Sequence, residues 1–198
     1  MSRFFVTGTC TGVGKTSYSV ELIRSWRARG IRGIGVKPFA TGDRGDALRL
    51  QEAMEGELSL DEINPCCWAK PMAPWMAAQQ EGGVIPYDVV FQHTVSLLEQ
   101  FSEVVGEGAG GWLVPLTKEK MISDFAKELA LPVIVVARAG LGTINQTLLT
   151  VESIFRQGLP IHEIVLNAFP EDDEKLARLN LEFLIQKTAL SVRLIHLS

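Results

Sequence analysis

Short apolar runs alternate with longer stretches in which apolar positions recur every three or four residues, along the whole chain. "RFFVTG" (3–8) reads as a buried strand. "KTSYSVELIRSWRARG" (15–30) reads as a helix: Val20, Ile23 and Trp26 share a face, and Gly30 suits a C-terminal cap. "IRGIGVKP" (31–38) predicts a second strand and "GDALRLQEAME" (45–55) a helix. Residues 56–83, with their prolines and tryptophans, show no period and predict irregular structure. A helix is expected over 86–101, and "SEVVGEGAGG" (102–111) is a strand running into a glycine-rich loop. "KMISDFAKELA" (120–130) predicts a helix, "LPVIVVA" (131–137) an apolar strand, and "GTINQTLLTVESIFRQG" (142–158) a helix with glycine at each end. "HEIVLNA" (162–168) is a strand, and "EDDEKLARLNLEFLIQK" (171–187) a helix with Leu176, Leu179 and Phe183 on one face and acids in its first turn. "SVRLIHL" closes as a last strand.

Strands alternating with helices build parallel β-α-β units, and continuous apolar strands fit a parallel sheet covered on both faces. The expectation is an α/β fold of three layers, one domain over 1–198, with function at the carboxyl ends of the strands. Hydrophobic residues at 46% and charged ones at 21% fit a soluble globular protein. A net charge of -4 argues against a nucleic-acid partner, which needs a basic surface. Three cysteines without a C-x-x-C argue against a disulfide framework or structural zinc; Cys66 and Cys67 read as packing residues. The N-terminus has no leader pattern, and no apolar run approaches the roughly 18 residues of a membrane span, so a cytoplasmic protein is expected. His93, His162 and His196 sit in no motif.

"VTGTCTGVGKT" departs slightly from the usual phosphate loop, G-x-x-x-x-G-K-[ST]: Thr9 stands where the first glycine belongs, and the nearest glycine is Gly8. A tight strand-to-helix turn would also carry glycines, but Gly12, Gly14, Lys15 and Thr16 between a strand and a helix predict nucleotide binding. Backbone from Thr11 through Gly12, Val13 and Gly14 to Ser17 would wrap phosphate; Lys15 would reach the β- and γ-phosphates, and the Thr16 hydroxyl would bind Mg²⁺. ParA/MinD-like switch ATPases carry a lysine at the position of Cys10, so a regulatory switch is disfavoured.

Other positions admit two readings each. Lys37, held extended before Pro38, is a strand-end surface lysine or a catalytic cation. Asp46 is a helix N-terminal acid or a metal ligand. Glu107 ends an apolar strand among glycines, which packing explains poorly, and Gly108, Ala109, Gly110 and Gly111 allow backbone to approach phosphate or substrate. Asn167 is a turn former before Pro170 or an amide for an adenine edge. Gly142, Thr143 and Asn145 open a helix that is ordinarily capped or binds a carboxylate through its N–H groups. Trp26, Trp68 and Trp75 read as packing residues; Trp112 is a further one or lines an apolar substrate chain.

Taken in order, "VTGTCTGVGKT", "GVKPFATG", "GDALRLQ", "NPCCWAKPMAPWMAAQQEG", "VVGEGAGGWLVPL", "LPVIVVARAGLGTINQTLLT" and "VLNAF" resemble the dethiobiotin synthetases over roughly residues 3–168. The resemblance implies a P-loop NTPase-like α/β fold and a homodimer with the active site at the subunit interface. It implies that 7,8-diaminononanoate, CO₂ and Mg·ATP are converted to dethiobiotin, ADP and phosphate, through amine carbamation, phosphorylation of the carbamate and ring closure. It implies Lys37 and Lys15 as catalytic cations, Thr16, Asp46 and Glu107 as Mg²⁺ ligands, and Asn167 at the adenine. Thr41 (often serine in the family) and Gly111 fall to the diamine, and Gly142, Thr143 and Asn145 to a carboxylate in the partner's site.

Two departures stand out. Cys10 replaces a frequent aspartate, as a neutral filler or a reactive thiol. The segment after "RLIHLS" that helps hold adenine in the family is missing, which predicts relaxed nucleotide choice: GTP or CTP within about tenfold of ATP, roughly 1.4 kcal/mol. The alternatives are a P-loop regulatory ATPase, disfavoured above, and a corrinoid amidase-like synthetase, whose glutaminase domain 198 residues leave no room for.

Overall fold

The computed structural model describes residues 1–197; Ser198, the last residue of "RLIHLS", lies outside them. Strand β1 (Ser2–Gly8) lies inside a six-stranded sheet with β2 (Gly33–Val36), β5 (Glu103–Gly111), β6 (Val133–Arg138), β7 (Ile161–Asn167) and β8 (Val192–Ile195). The order is β2-β5-β1-β6-β7-β8, and every neighbouring pair is parallel. Val133 to Ala137 are all fully buried, which is why that strand reads as an unbroken apolar run.

Helices cover both faces: α1 (Lys15–Arg27), α2 (Gly45–Ala53), α5 (Tyr87–Gln100), α6 (Ile122–Leu129), α7 (Thr143–Arg156) and α8 (Glu174–Thr188). Val20, Ile23 and Trp26 of α1 enter one continuous hydrophobic core with Phe5, Ile34, Leu50 and Val104. Among the described residues no helix is long and apolar enough to cross a membrane.

Three expectations need correction. Residues 56–83 are not irregular: they hold α3 (Leu60–Ile63), β4 (Cys66–Trp68) and α4 (Pro74–Gln80). Ser59 and Glu62 cap α3 reciprocally, and α4 opens on Pro74, which has no N–H to leave unsatisfied. β4 pairs in parallel with β3 (Phe39–Thr41), three residues against three, too short for any period to register. The second correction concerns α8. Its buried face is Ala177, Asn180 and Leu184, while Leu179 and Phe183 are exposed. Asn180 turns inward because its amide donates to the Ala139 carbonyl at 2.9 Å, so a polar residue occupies the position an apolar pattern would assign elsewhere.

The glycines of "GEGAGG" continue β5 to Gly111 rather than leaving it as a loop; Gly111 pairs with Gly8.

Candidate active site: a phosphate loop beside a buried lysine and two carboxylates

The loop between β1 and α1 is built on Gly8 and Gly14. A Cβ at Gly8 would lie 2.8 Å from both the Cys10 carbonyl oxygen and Val13 Cγ2, so the tight position in this loop is residue 8. Thr9 can therefore carry a side chain; its N–H donates to Val136 O at 3.0 Å, extending the strand by one bond. Gly14 caps α1 with φ +97°, in the left-handed region. No side chain caps α1, and no acid lies in its first turn. The N–H groups there are thus left for a ligand, with the helix dipole favouring an anion.

Glu107 on β5 is fully buried. Its Oε1 accepts from Thr16 Oγ1 at 2.7 Å and from Lys37 Nζ at 2.6 Å, and its Oε2 accepts from Ser19 Oγ at 2.8 Å. Lys37 Nζ also donates to Asp46 Oδ2 at 2.8 Å and to Gly108 O at 3.2 Å, which uses all three of its hydrogens. The lysine backbone is fixed by the unforeseen segment: Lys37 N donates to Ile63 O at 2.8 Å, and its carbonyl accepts from Asn64 Nδ2 at 2.7 Å.

Burial pulls against the charge on Lys37, but the Glu107 and Asp46 carboxylates outweigh it and leave the pKa raised. Asp46 is likewise held below the usual carboxylate range: burial would raise it, and Lys37, then Thr16 and Lys15, overcome that. Lys15 goes the other way. Burial, then repulsion from Lys37, lowers it to about 8, with Glu107 and Asp46 opposing. Its Nζ rests on the Cys10 carbonyl at 3.3 Å.

The Glu107 and Asp46 carboxylates thus meet at one cation, the Lys37 ammonium, and the Thr16 hydroxyl joins them through its bond to Glu107. Among the described residues no group of three or more His, Cys, Asp or Glu is placed to hold a metal ion. The donor set fits Mg²⁺, which uses one or two carboxylates and completes its shell with phosphate oxygens and water.

A cavity of about 660 Å³ opens beside this cluster. Of the residues singled out in the sequence, Thr11, Gly12, Gly14, Lys15, Thr16, Ser17, Lys37, Thr41, Asp46, Ala109 and Gly110 line it. Val13 and Glu107 are buried behind the wall, and Gly108 contributes its carbonyl to Lys37. Asn167 is buried too, and joins Val13 O (3.3 Å, from Nδ2) to the Leu197 N–H (2.9 Å, to Oδ1). Gly111, Gly142, Thr143 and Asn145 are outside the cavity wall, and the Thr143 side chain is buried. Trp112 does not line it either; it packs edge-on to Phe5 at 6.5 Å.

Asp43, Arg49, Phe169 and the stretch Pro71 to Pro74 also line the wall, and none of them has a role assigned from the sequence. Arg49 had a signal: it follows Asp46 by three residues on one helix face, and its Nη2 donates to Ser17 Oγ at 3.0 Å. The proline stretch lies in "NPCCWAKPMAPWMAAQQEG", one of the stretches that carry the resemblance, but no residue type in it points to a role.

A family model described as an AAA domain matches residues 2–195. The ATP-dependent dethiobiotin synthetase BioD of Anaeromyxobacter dehalogenans (strain 2CP-C) is 49% identical over 178 residues, covering 87% of this chain and 80% of that protein. The Bacillus subtilis (strain 168) protein of the same name is 39% identical over 184 residues, covering 88% and 79%. Among solved structures, the cell division protein FtsY of Thermotoga maritima superposes with a TM-score of 0.51 at 14% identity, over 98% of this chain and 61% of that one, a likeness of fold alone.

Proposed function

The chain belongs to the ATP-dependent dethiobiotin synthetase family, and from that premise we propose that it joins CO₂ to 7,8-diaminononanoate and closes the ring of dethiobiotin, with ATP converted to ADP and phosphate. The observation that carries the reading is the Lys37 ammonium, held between Glu107 and Asp46 at the wall of a cavity that also contains the phosphate loop.

The chemistry asks for charge control rather than a strong nucleophile. One amine of the diamine attacks CO₂ and loses a proton, giving a carbamate. A carbamate oxygen attacks the γ-phosphorus, and the bond to the ADP oxygen breaks. The second amine then attacks the carbamoyl carbon, a proton leaves, and phosphate departs as the urea ring closes. Two anions meet in the second step, so cations must sit where charge gathers. Lys15 holds the β- and γ-phosphates, and Lys37 donates to the carbamate and γ-phosphate oxygens. The first turn of α1 orients the phosphate chain, and Thr41 faces the diamine. Thr16, Asp46 and Glu107 would hold Mg²⁺, which when bound neutralises phosphate charge. Asn167 serves at the adenine end. Residues 1–198 act as one cytoplasmic domain. In a homodimer, Gly142, Thr143 and Asn145 complete the partner's site; their position outside this chain's own cavity agrees with that role.

Incubation with the diamine, labelled bicarbonate and Mg·ATP is expected to give diamine-dependent, acid-stable label in a cyclic urea. No such label would refute the activity.

The lowered Lys15 pKa gives a separate expectation. The protonated form binds phosphate, so ATP affinity in metal-free buffer should be full below about pH 8 and decline as pH rises through it. Lys15→Arg should flatten the decline, because a guanidinium does not titrate there. A wild-type affinity constant from pH 7 to 9.5 would contradict the role of Lys15.

A further inference from the structure

The two ends of a nucleotide are separated by the order of strands. Lys37 follows β2 and Glu107 lies on β5, both to one side of β1 and its phosphate loop. β7 is two strands away on the other side, roughly 10 Å at about 4.8 Å per strand. A nucleotide with its γ-phosphate toward Lys37 therefore directs its base toward the end of β7.

Phe169 stands there, two residues past β7, and lines the same cavity as the phosphate loop. A cation holds the ring: the Arg138 guanidinium sits 5.1 Å from its centroid. Arg138 is itself fixed, its Nε donating to Asp172 Oδ1 at 2.8 Å and its Nη2 to Glu171 Oε1 at 2.8 Å. Asp172 Oδ2 in turn accepts from the Phe169 N–H at 3.0 Å. One carboxylate thus fixes both the aromatic backbone and the cation that covers it. The amide of Asn167 already bonds backbone through both of its polar atoms.

From this arrangement we infer that Phe169, held by Arg138, is the stacking platform for the nucleotide base. Stacking on an aromatic face tolerates any base, since each has a π-face. A site that relies on it selects weakly among ATP, GTP and CTP. Arg138 is a positioning residue: it holds the ring rather than the ligand.

The inference rests on the nucleotide site proposed above, and the test separates the two. Binding of ATP, GTP, CTP and inorganic tripolyphosphate, which has no base, is measured calorimetrically on the full chain. The wild type is expected to bind all four; failure to bind ATP would remove the nucleotide reading itself. Phe169→Ala should weaken the three nucleotides by about 5- to 100-fold and leave tripolyphosphate unchanged. Phe169→Trp should bind nucleotides at least as well as the wild type. Arg138→Ala should weaken the nucleotides less than Phe169→Ala does. Unchanged ATP affinity in Phe169→Ala, or an equal loss for tripolyphosphate, would overturn the platform. So would a loss confined to ATP, which would assign recognition to hydrogen bonds.

Discussion

Lys37→Ala is expected to lose turnover by about 10²- to 10³-fold while still binding nucleotide, the cost of removing one preorganised donor from developing charge. Lys15 and the first turn of α1 remain in that variant, so calorimetry should return an ATP affinity near the wild type's. Stability should change as well. Glu107 would keep Thr16 and Ser19 as donors but lose its buried counter-ion. Leaving one partner of a buried pair uncompensated costs about 3–5 kcal/mol. Added Mg²⁺ should restore part of that, since the cation replaces the ammonium among the same oxygens. Thermal denaturation with and without Mg²⁺ measures the recovery, and single-turnover assays measure the chemistry. A variant that turns over normally would remove Lys37 from the mechanism.

Gly14→Ala is expected to weaken ATP binding by about 10- to 100-fold, for two separable reasons. The backbone at φ +97° is strained for any residue with a Cβ. That Cβ would also lie 2.3 Å from Asn167 Nδ2, forcing the amide away from Val13 O. Asn167→Ala in the same chain removes the collision and leaves the backbone strain. The double variant should therefore bind inorganic tripolyphosphate, which has no base for Asn167 to contact, more tightly than Gly14→Ala alone, yet less tightly than the wild type. Wild-type affinity in Gly14→Ala would mean that the loop does not need this conformation.

Much of the architecture is legible without coordinates. The strands of the main sheet are short apolar runs, and α1, α2, α5, α6 and α7 follow amphipathic periods within a few residues of their observed bounds. What escapes is short or inverted. β3 and β4 have three residues each and exist because they pair with each other. The face of α8 is misread because Asn180 is drawn inward by a carbonyl 41 residues away in the chain. Arg49 and Phe169 fall within "GDALRLQ" and "VLNAF", but local pattern points to Asp46 and Asn167 in those stretches, and only the cavity shows that the later residue of each lines it.

Local spacing dictates the alternation of strand and helix, and the loop whose glycines and lysine predict a phosphate site. These depend on neighbours within a turn or two of chain, where spacing dictates geometry. Which charges meet depends on how the strands are arranged in the sheet. Lys37 and Glu107 are 70 residues apart, and the bond between them depends on β2 lying beside β5. Asn64, from a segment with no readable period, holds the Lys37 backbone in place. Phe169 reaches the cavity because β7 lies two strands from β1, and it faces Arg138 because β6 lies beside β7. Pairing across the sheet is set by the burial of whole strands, and no local pattern encodes which strand ends become neighbours.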